Sequence, residues 1–171
     1  AWDSAFAWSP TVNTWYHIAY SRSGTSLRVF VNGVQQGTTA TNSNSYGAVT
    51  AAVIGASTSV PDRALLAYMS DLRVVKSARY TANFLPPQAP LTPITNTALL
   101  TLQYNSSDNN NRFVDQSSFN NLITRNGNTT QGTFSPFSSS GWSNYFDGGS
   151  SSFYFANNAA LQLGSTYTAE A

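Results

Sequence analysis

The stretch WYHIAYSRSGTSLRVFVNG, residues 15–33, decides the fold class of this chain. Its two ends, residues 15–22 and 27–32, are rich in aromatic and β-branched residues, and residues 23–26 between them contain a glycine. Two β-prone runs around such a turn predict a β-hairpin. The dipeptide Asn32-Gly33 then predicts a second tight turn with positive φ, which returns the chain into a further strand.

The remaining sequence repeats this pattern of short β-prone runs separated by Ser-, Asn- and Gly-rich loops. No window carries an amphipathic repeat of 3.6 residues long enough for a substantial helix, and residues 156–163 indicate at most a turn or two. The further predicted strands are 51–55, 65–75, 99–104, 113–115, 122–124, 144–146 and 153–155. Many short strands with turn signals between them predict an all-β sandwich.

A proline-rich stretch divides the chain. Residues 85–97 read LPPQAPLTPITNT and contain four prolines, which remove backbone donors and favour extended conformations. We interpret residues 88–95 as a linker between residues 1–87 and residues 96–171.

The composition narrows the function classes. Charged residues make up 9% of the chain, against about 25% in an average globular protein. The net charge of +1 provides no basic stripe for a phosphate backbone, so we expect no nucleic-acid partner. The longest apolar stretch is shorter than the roughly 18 residues of a membrane span, so we expect no membrane insertion. The sequence has no cysteine. It also lacks an initiator methionine, and we therefore expect it to be a piece of a longer polypeptide.

Three motifs carry a family resemblance. The run WYHIAYSRSGTSLRVFVNGVQQG, the dipeptide Ile54-Gly55 and the run LLAYMSDLRVVKSARYTANFLPP resemble the C-terminal half of a laminin-G-like domain of the concanavalin A-like lectin/glucanase superfamily. Residues 96–121 and 144–171 resemble the beginning of another such domain. The resemblance implies an antiparallel jelly-roll β-sandwich, with residues 1–87 and 96–171 as two half-modules.

Half a sandwich leaves an apolar face and strand edges open, which natural proteins rarely tolerate. Three arrangements would cover them. Neighbouring repeats of a longer chain, a second copy that donates strands, or closure of the two halves on each other within one chain would each suffice.

The number and spacing of the carboxylates in the sequence disfavour catalysis. Glucanases of this fold use a positioned pair, whereas Glu170 is the only glutamate and no strand carries a Glu-x-Asp-x-x-Glu pattern. We therefore expect no catalytic residue and no enzyme. His17, the only histidine, is predicted to be a packed or surface ring, and Asp71 and Arg73 are predicted to pair locally.

The candidate binding residues lie in the predicted loops. Aromatic side chains in or beside Ser/Asn-rich segments can stack on sugar C–H groups, which makes Trp8, Tyr46, Tyr104 and Trp142 candidates for glycan binding. The resemblance also implies a calcium site in a rim loop, for which Asp108 and Asn110 are the candidates; a solvated loop is the alternative.

The low charge and the linker are similar to those of phage fibre proteins and secreted adhesins. That resemblance implies an extracellular or virion-surface location and attachment to a cell-surface glycan or receptor. It also implies association with neighbouring repeats or with other copies. The alternatives are a purely architectural fibre or coat protein and, less favoured, a polysaccharide hydrolase.

Overall fold

A computed structural model describes residues 6–46, 51–56, 64–102, 113–138 and 141–171. Within these ranges the regular structure is almost entirely β, with a single short 3-10 helix at Ala159–Leu161. The strands are β1 (Ile18–Ser23), β2 (Ser26–Val31), β3 (Val34–Thr41), β4 (Ala51–Ile54), β5 (Leu66–Met69), β6 (Leu72–Val75), β7 (Thr97–Thr101), β8 (Thr124–Asn126), β9 (Thr130–Gly132), β10 (Ser143–Asp147), β11 (Ser152–Ala156) and β12 (Thr166–Glu170).

The strands form one six-stranded sheet and two three-stranded sheets. The six-stranded sheet has the order β3-β2-β1-β12-β6-β7, and the smaller sheets have the orders β5-β10-β9 and β4-β11-β8. Every strand pair is antiparallel. This is the predicted all-β, antiparallel sandwich of the concanavalin A-like type.

Each sheet combines strands from both sides of the proline-rich stretch. In the six-stranded sheet, β12 lies between β1 and β6 and pairs with both. The two smaller sheets likewise join β5 and β4 to strands from residues 124–156. The described residues of the two segments therefore close on each other within one chain, the third arrangement considered above. The assignment of the segments as half-modules stays a prediction.

The core lies between the six-stranded sheet and the two smaller sheets. Leu99 from β7 contributes to it from one side, and Phe146 and Phe153 contribute from the other, all three buried. The ring centroids of Phe146 and Phe153 lie 5.4 Å apart, edge to face. Residues on alternate positions of these strands point into this layer, as the period of two in the sequence predicts.

The turn between β2 and β3 confirms the prediction made for Asn32-Gly33. Their φ angles are 48° and 77°. A Cβ atom on Gly33 would collide with the carbonyl oxygen of Phe84, whose backbone N–H donates to the Gly33 carbonyl at 2.9 Å. Glycine is therefore required here both by φ and by the close approach of another backbone.

The opposite face of the six-stranded sheet is covered by the chain that follows β6. The backbone N–H of Tyr80 donates to Ser21 Oγ at 3.2 Å, and its ring is stacked on that of Phe84 with 3.6 Å between centroids. Further along, within the predicted linker, Leu91 is buried and its N–H donates to Asp71 Oδ1 at 2.8 Å. Part of the proline-rich stretch is thus packed on the sheet.

Two predicted strands differ in the structure. The run 65–75 is split into β5 and β6, which belong to different sheets, because the chain bends at Asp71, where φ is 60°. The prediction of a strand at 113–115 is wrong. There the carboxylate of Asp115 instead accepts hydrogen bonds from the backbone N–H groups of Leu100, Ser117 and Asn121, which fix a loop beside β7.

Candidate functional site

A buried carboxylate lies at the centre of the six-stranded sheet. Oε1 of Glu170 accepts hydrogen bonds from Arg73 Nε at 3.0 Å and Nη2 at 2.6 Å. Oε2 accepts from the Tyr80 hydroxyl at 2.7 Å and lies 3.3 Å from His17 Nε2. The position of each partner follows from the fold: β12 and β6 align Glu170 with Arg73, while His17 immediately precedes β1.

The electrostatics of Glu170 show a carboxylate held in its charged form. Burial alone would raise its pKa, but the hydrogen bonds from His17, Tyr80 and Arg73 and the charge of Arg73 outweigh that effect and lower the pKa to about 2. Burial likewise raises the pKa of Tyr80, as does its hydrogen bond to the Glu170 carboxylate. A carboxylate with such a low pKa is a poor proton donor near neutral pH.

One expectation about these residues is corrected. Arg73 pairs with Glu170 instead of with Asp71. The Asp71 carboxylate accepts from Ser70 Oγ at 2.6 Å, in addition to the Leu91 N–H. The sequence could not reveal the Arg73–Glu170 pair, because the two residues are cross-strand neighbours that lie 97 positions apart.

Of the two environments expected for His17, packed or at the surface, the structure shows the packed one. Its ring lies edge to face with those of Tyr80 and Phe84, at centroid distances of 6.5 Å and 5.6 Å. Together with the buried Glu170, these contacts describe a polar cluster inside the protein that holds strands together. The Glu170 carboxylate of this cluster is not accessible to a substrate.

A second arrangement of side chains lies at the surface of the β5-β10-β9 sheet. Four aromatic rings follow one another there, and we call Trp15, Phe134, Tyr68 and Tyr145 the aromatic row. Successive centroids are 5.2 Å (Trp15–Phe134), 5.1 Å (Phe134–Tyr68) and 5.1 Å (Tyr68–Tyr145) apart. Phe134 and Tyr68 are 51% and 47% exposed, while Trp15 and Tyr145 are half-buried.

The sheet itself explains the centre of the aromatic row. Tyr68 of β5 and Tyr145 of β10 are direct cross-strand partners, so both side chains project from the same face. Their neighbours Met69 and Phe146 point the other way and belong to the core. Phe134 joins from the loop after β9, and Trp15 joins from the chain before β1.

The sequence did not predict this surface, because the candidate binding residues were chosen from loops and Trp15 falls in the predicted strand 15–22. The alternation in Leu66–Met69 and Ser143–Asp147 was the available signal, since it places Tyr68 and Tyr145 opposite their core-facing neighbours. The contribution of Phe134 and Trp15 depends on the tertiary fold and has no local signature.

The structure places three of the four predicted glycan-binding residues, and none of the three contacts another through its ring. Trp8 is half-buried and packs edge to face on Tyr16 at 5.1 Å. Tyr46 is also half-buried, lies 5.9 Å from the Tyr167 ring and carries the Arg22 guanidinium over its face at 5.5 Å.

Trp142 is half-buried just before β10, and its backbone carbonyl accepts a hydrogen bond from Ser70 Oγ at 2.8 Å. Tyr104 lies outside the described residues, as do the calcium candidates Asp108 and Asn110. In the part of the chain that the structure describes, no three His, Cys, Asp or Glu side chains are grouped as a metal site would require. The glycan and calcium assignments of these residues stay predictions.

The fold defined by these sheets is that of a concanavalin A-like β-sandwich. A comparison with protein families agrees: residues 2–83 match the Laminin_G_3 family model, described as the concanavalin A-like lectin/glucanases superfamily. The match supports the likeness of residues 2–83 to this superfamily, whose laminin-G-like domains are typically non-catalytic binding modules. Searches of curated proteins and of solved structures found no match. No helix among the described residues is long and apolar enough to cross a membrane.

Proposed function

We propose that this protein is a non-catalytic module that attaches to glycans through the aromatic row. The observation that carries the proposal is the exposure of Phe134 and Tyr68 at the centre of four contiguous rings. Contiguous exposed apolar surface marks interaction sites, because exposing it to water costs free energy that binding a partner recovers.

The chemistry of the aromatic row favours a sugar as that partner. Flat ring faces pack on sugar C–H groups, and the tyrosine hydroxyls supply polar contacts at the ring edge. The surrounding protein is poor in charge, with 9% charged residues, so hydroxyl and amide groups provide most of its hydrogen bonding. A sugar presents the same mixture of C–H faces and hydroxyl edges.

A non-catalytic role is supported by the state of three carboxylates among the described residues. Glu170 is enclosed by Arg73, Tyr80 and His17, and its low pKa makes it a poor general acid. Asp71 and Asp115 are buried and hold backbone N–H groups. A glycosidase needs an acid and a second carboxylate on opposite sides of an accessible bond.

The wider setting that we propose is an extracellular or virion-surface protein, such as a phage fibre or an adhesin built from repeats. Its partner would be a cell-surface glycan, and association with other copies or with neighbouring repeats would give several weak sites high avidity. Calcium at Asp108 and Asn110 remains part of this proposal.

A glycan array tests the proposal. The chain should bind a subset of glycans, and Tyr68→Ala should weaken that binding. Tyr154→Ala is the matched control, since Tyr154 is 36% exposed on the β4-β11-β8 sheet, outside the aromatic row. Arrays run with calcium and with a chelator test the ion. An array that stays blank under both conditions would contradict glycan binding and favour the architectural alternative.

A further inference from the structure

We infer that the aromatic row binds an internal stretch of a linear, uncharged polysaccharide that lies along it. This inference rests on the proposed function and names the ligand class. It excludes recognition of a terminal sugar and of anionic glycans.

The arrangement of the rings is the first argument. Of the four side chains, only successive ones are in ring contact, so they form a row and not a compact cluster. A single sugar ring packs on one or two aromatic faces at a time. Only a chain of several sugars can cover the row from Trp15 to Tyr145.

The exposure profile is the second argument. The central rings of Phe134 and Tyr68 are the most exposed, and the outer rings of Trp15 and Tyr145 are half-buried. A site for a chain end needs walls that enclose it on several sides. With Phe134 and Tyr68 about half exposed, the centre of the row is open, and a chain can pass across it.

Charge is the third argument. The strands under the aromatic row, LAYM, TQG and SNYFD, contain no lysine or arginine. Their one charged residue is Asp147, the cross-strand partner of Leu66 at the end of β5. A carboxylate at this edge repels sulfated or uronic acid chains and leaves a neutral polymer unaffected.

Binding should therefore increase with ligand length. We would titrate the chain by calorimetry with a linear β-glucan, a xylan, a mannan and polygalacturonate, and then with the one-, two-, four- and six-sugar oligomers of the polymer that binds. A neutral polymer should bind, polygalacturonate should not, and affinity should rise from the monomer to the longer oligomers before it levels off.

A pair of phenylalanine variants locates the site. Phe134→Ala should weaken binding of the longest oligomer by roughly tenfold, the equivalent of about one lost aromatic contact. Phe119→Ala is the control, because Phe119 is 50% exposed, nearly the same as Phe134, and lies in a different loop. It should bind as the unmodified chain does.

The outcomes separate this inference from the proposed function. Binding of a single sugar as tightly as of the polymer, or binding that Phe134→Ala leaves intact, overturns the inference while glycan binding stands. The same holds if only anionic or branched glycans bind. If neither the array nor the polymers show binding, both fail. If the chain forms dimers and Phe134→Ala dissociates them, the aromatic row is a self-association surface. That result would also overturn the inference.

Discussion

Arg73 Nη2 donates a 2.6 Å hydrogen bond to Glu170 Oε1 between strands β6 and β12, where both side chains are almost completely buried. A buried ion pair of this kind is costly to break from one side, because the remaining charge stays in a medium of low polarity.

We expect Glu170→Gln to lower the free energy of unfolding by about 3–5 kcal/mol, since it leaves the Arg73 guanidinium uncompensated. Urea unfolding followed by tryptophan fluorescence measures the change. Should the variant not fold, Tyr80→Phe removes only the 2.7 Å hydrogen bond to Oε2 and should cost about 1.5–3 kcal/mol.

The control for this prediction is Arg79→Gln. Arg79 Nε lies 4.0 Å from the same carboxylate, but its side chain is partly exposed. Its loss should cost less than about 1 kcal/mol, as for other exposed ion pairs. Equal effects at Arg79 and Glu170 would show that the buried hydrogen bonds contribute little.

The stability of the fold should decrease as the pH falls through the acidic range. The pKa of Glu170 is about 2 in the folded chain, below the ordinary value of 4.5. The unfolded chain therefore takes up the proton first, so the contribution of this group is complete above pH 4.5 and is lost as the pH falls towards 2. The loss should amount to about 3 kcal/mol.

Unfolding titrations across this pH range measure that loss. Glu170→Gln has no proton to take up at this position, so its stability should change less over the same range. If both chains lost stability equally, other carboxylates would account for the acid sensitivity.

Gly33→Ala should destabilise the protein more than Gly24→Ala does. Both glycines have positive φ, 77° and 60°, and an alanine in this region costs roughly 1–2 kcal/mol. Only at Gly33 does the new Cβ also meet a backbone, that of Phe84, whereas nothing lies within 4 Å at Gly24. We expect a further 1–3 kcal/mol or so from that clash. Thermal or urea unfolding of the two variants compares them directly, and similar losses would argue against the close approach.

Asp115→Asn should loosen strand β7. The Asp115 carboxylate accepts from Leu100 N at 2.9 Å and from Asn121 N and Nδ2 at 2.8 Å and 2.6 Å. The side-chain amide of an asparagine would place its NH2 group against some of these N–H donors, which should lower the free energy of unfolding by about 2 kcal/mol or more. Hydrogen exchange at the Leu100 amide should accelerate.

Asp147→Asn is the matched control for that change. Asp147 accepts from Gly149 N at 2.9 Å in an exposed turn, and asparagine can accept the same bond. Its stability should stay within about 0.5 kcal/mol of the unmodified chain. Unchanged exchange at Leu100 in Asp115→Asn would contradict the anchoring role of that carboxylate.

The parts of the fold that the sequence predicted are those governed by neighbouring residues. The β1–β2 hairpin and the Asn32-Gly33 turn depend on β-prone runs and on turn residues a few positions apart. The short 3-10 helix also falls within the range expected for a helical turn. Each of these preferences is local.

The features that the sequence did not predict depend on contacts with distant parts of the chain. The run 65–75 reads as one strand, and its division between two sheets depends on the Ser70 and Asp71 contacts with Trp142 and Leu91. The partners of Glu170 and the members of the aromatic row likewise come from separate strands and loops. Periodicity gives the face of a strand but not what lies opposite that face.

The position of β12 also bears on how the protein acquires its structure. His17 and Glu170 meet across 153 positions of the chain, and β12 (Thr166–Glu170) lies between β1 and β6 in the six-stranded sheet. Contacts of such long range slow folding, because a large loop must close before any of them forms. During synthesis, the six-stranded sheet cannot be completed until these residues have left the ribosome, so one edge of β1 and one edge of β6 stay unpaired until then.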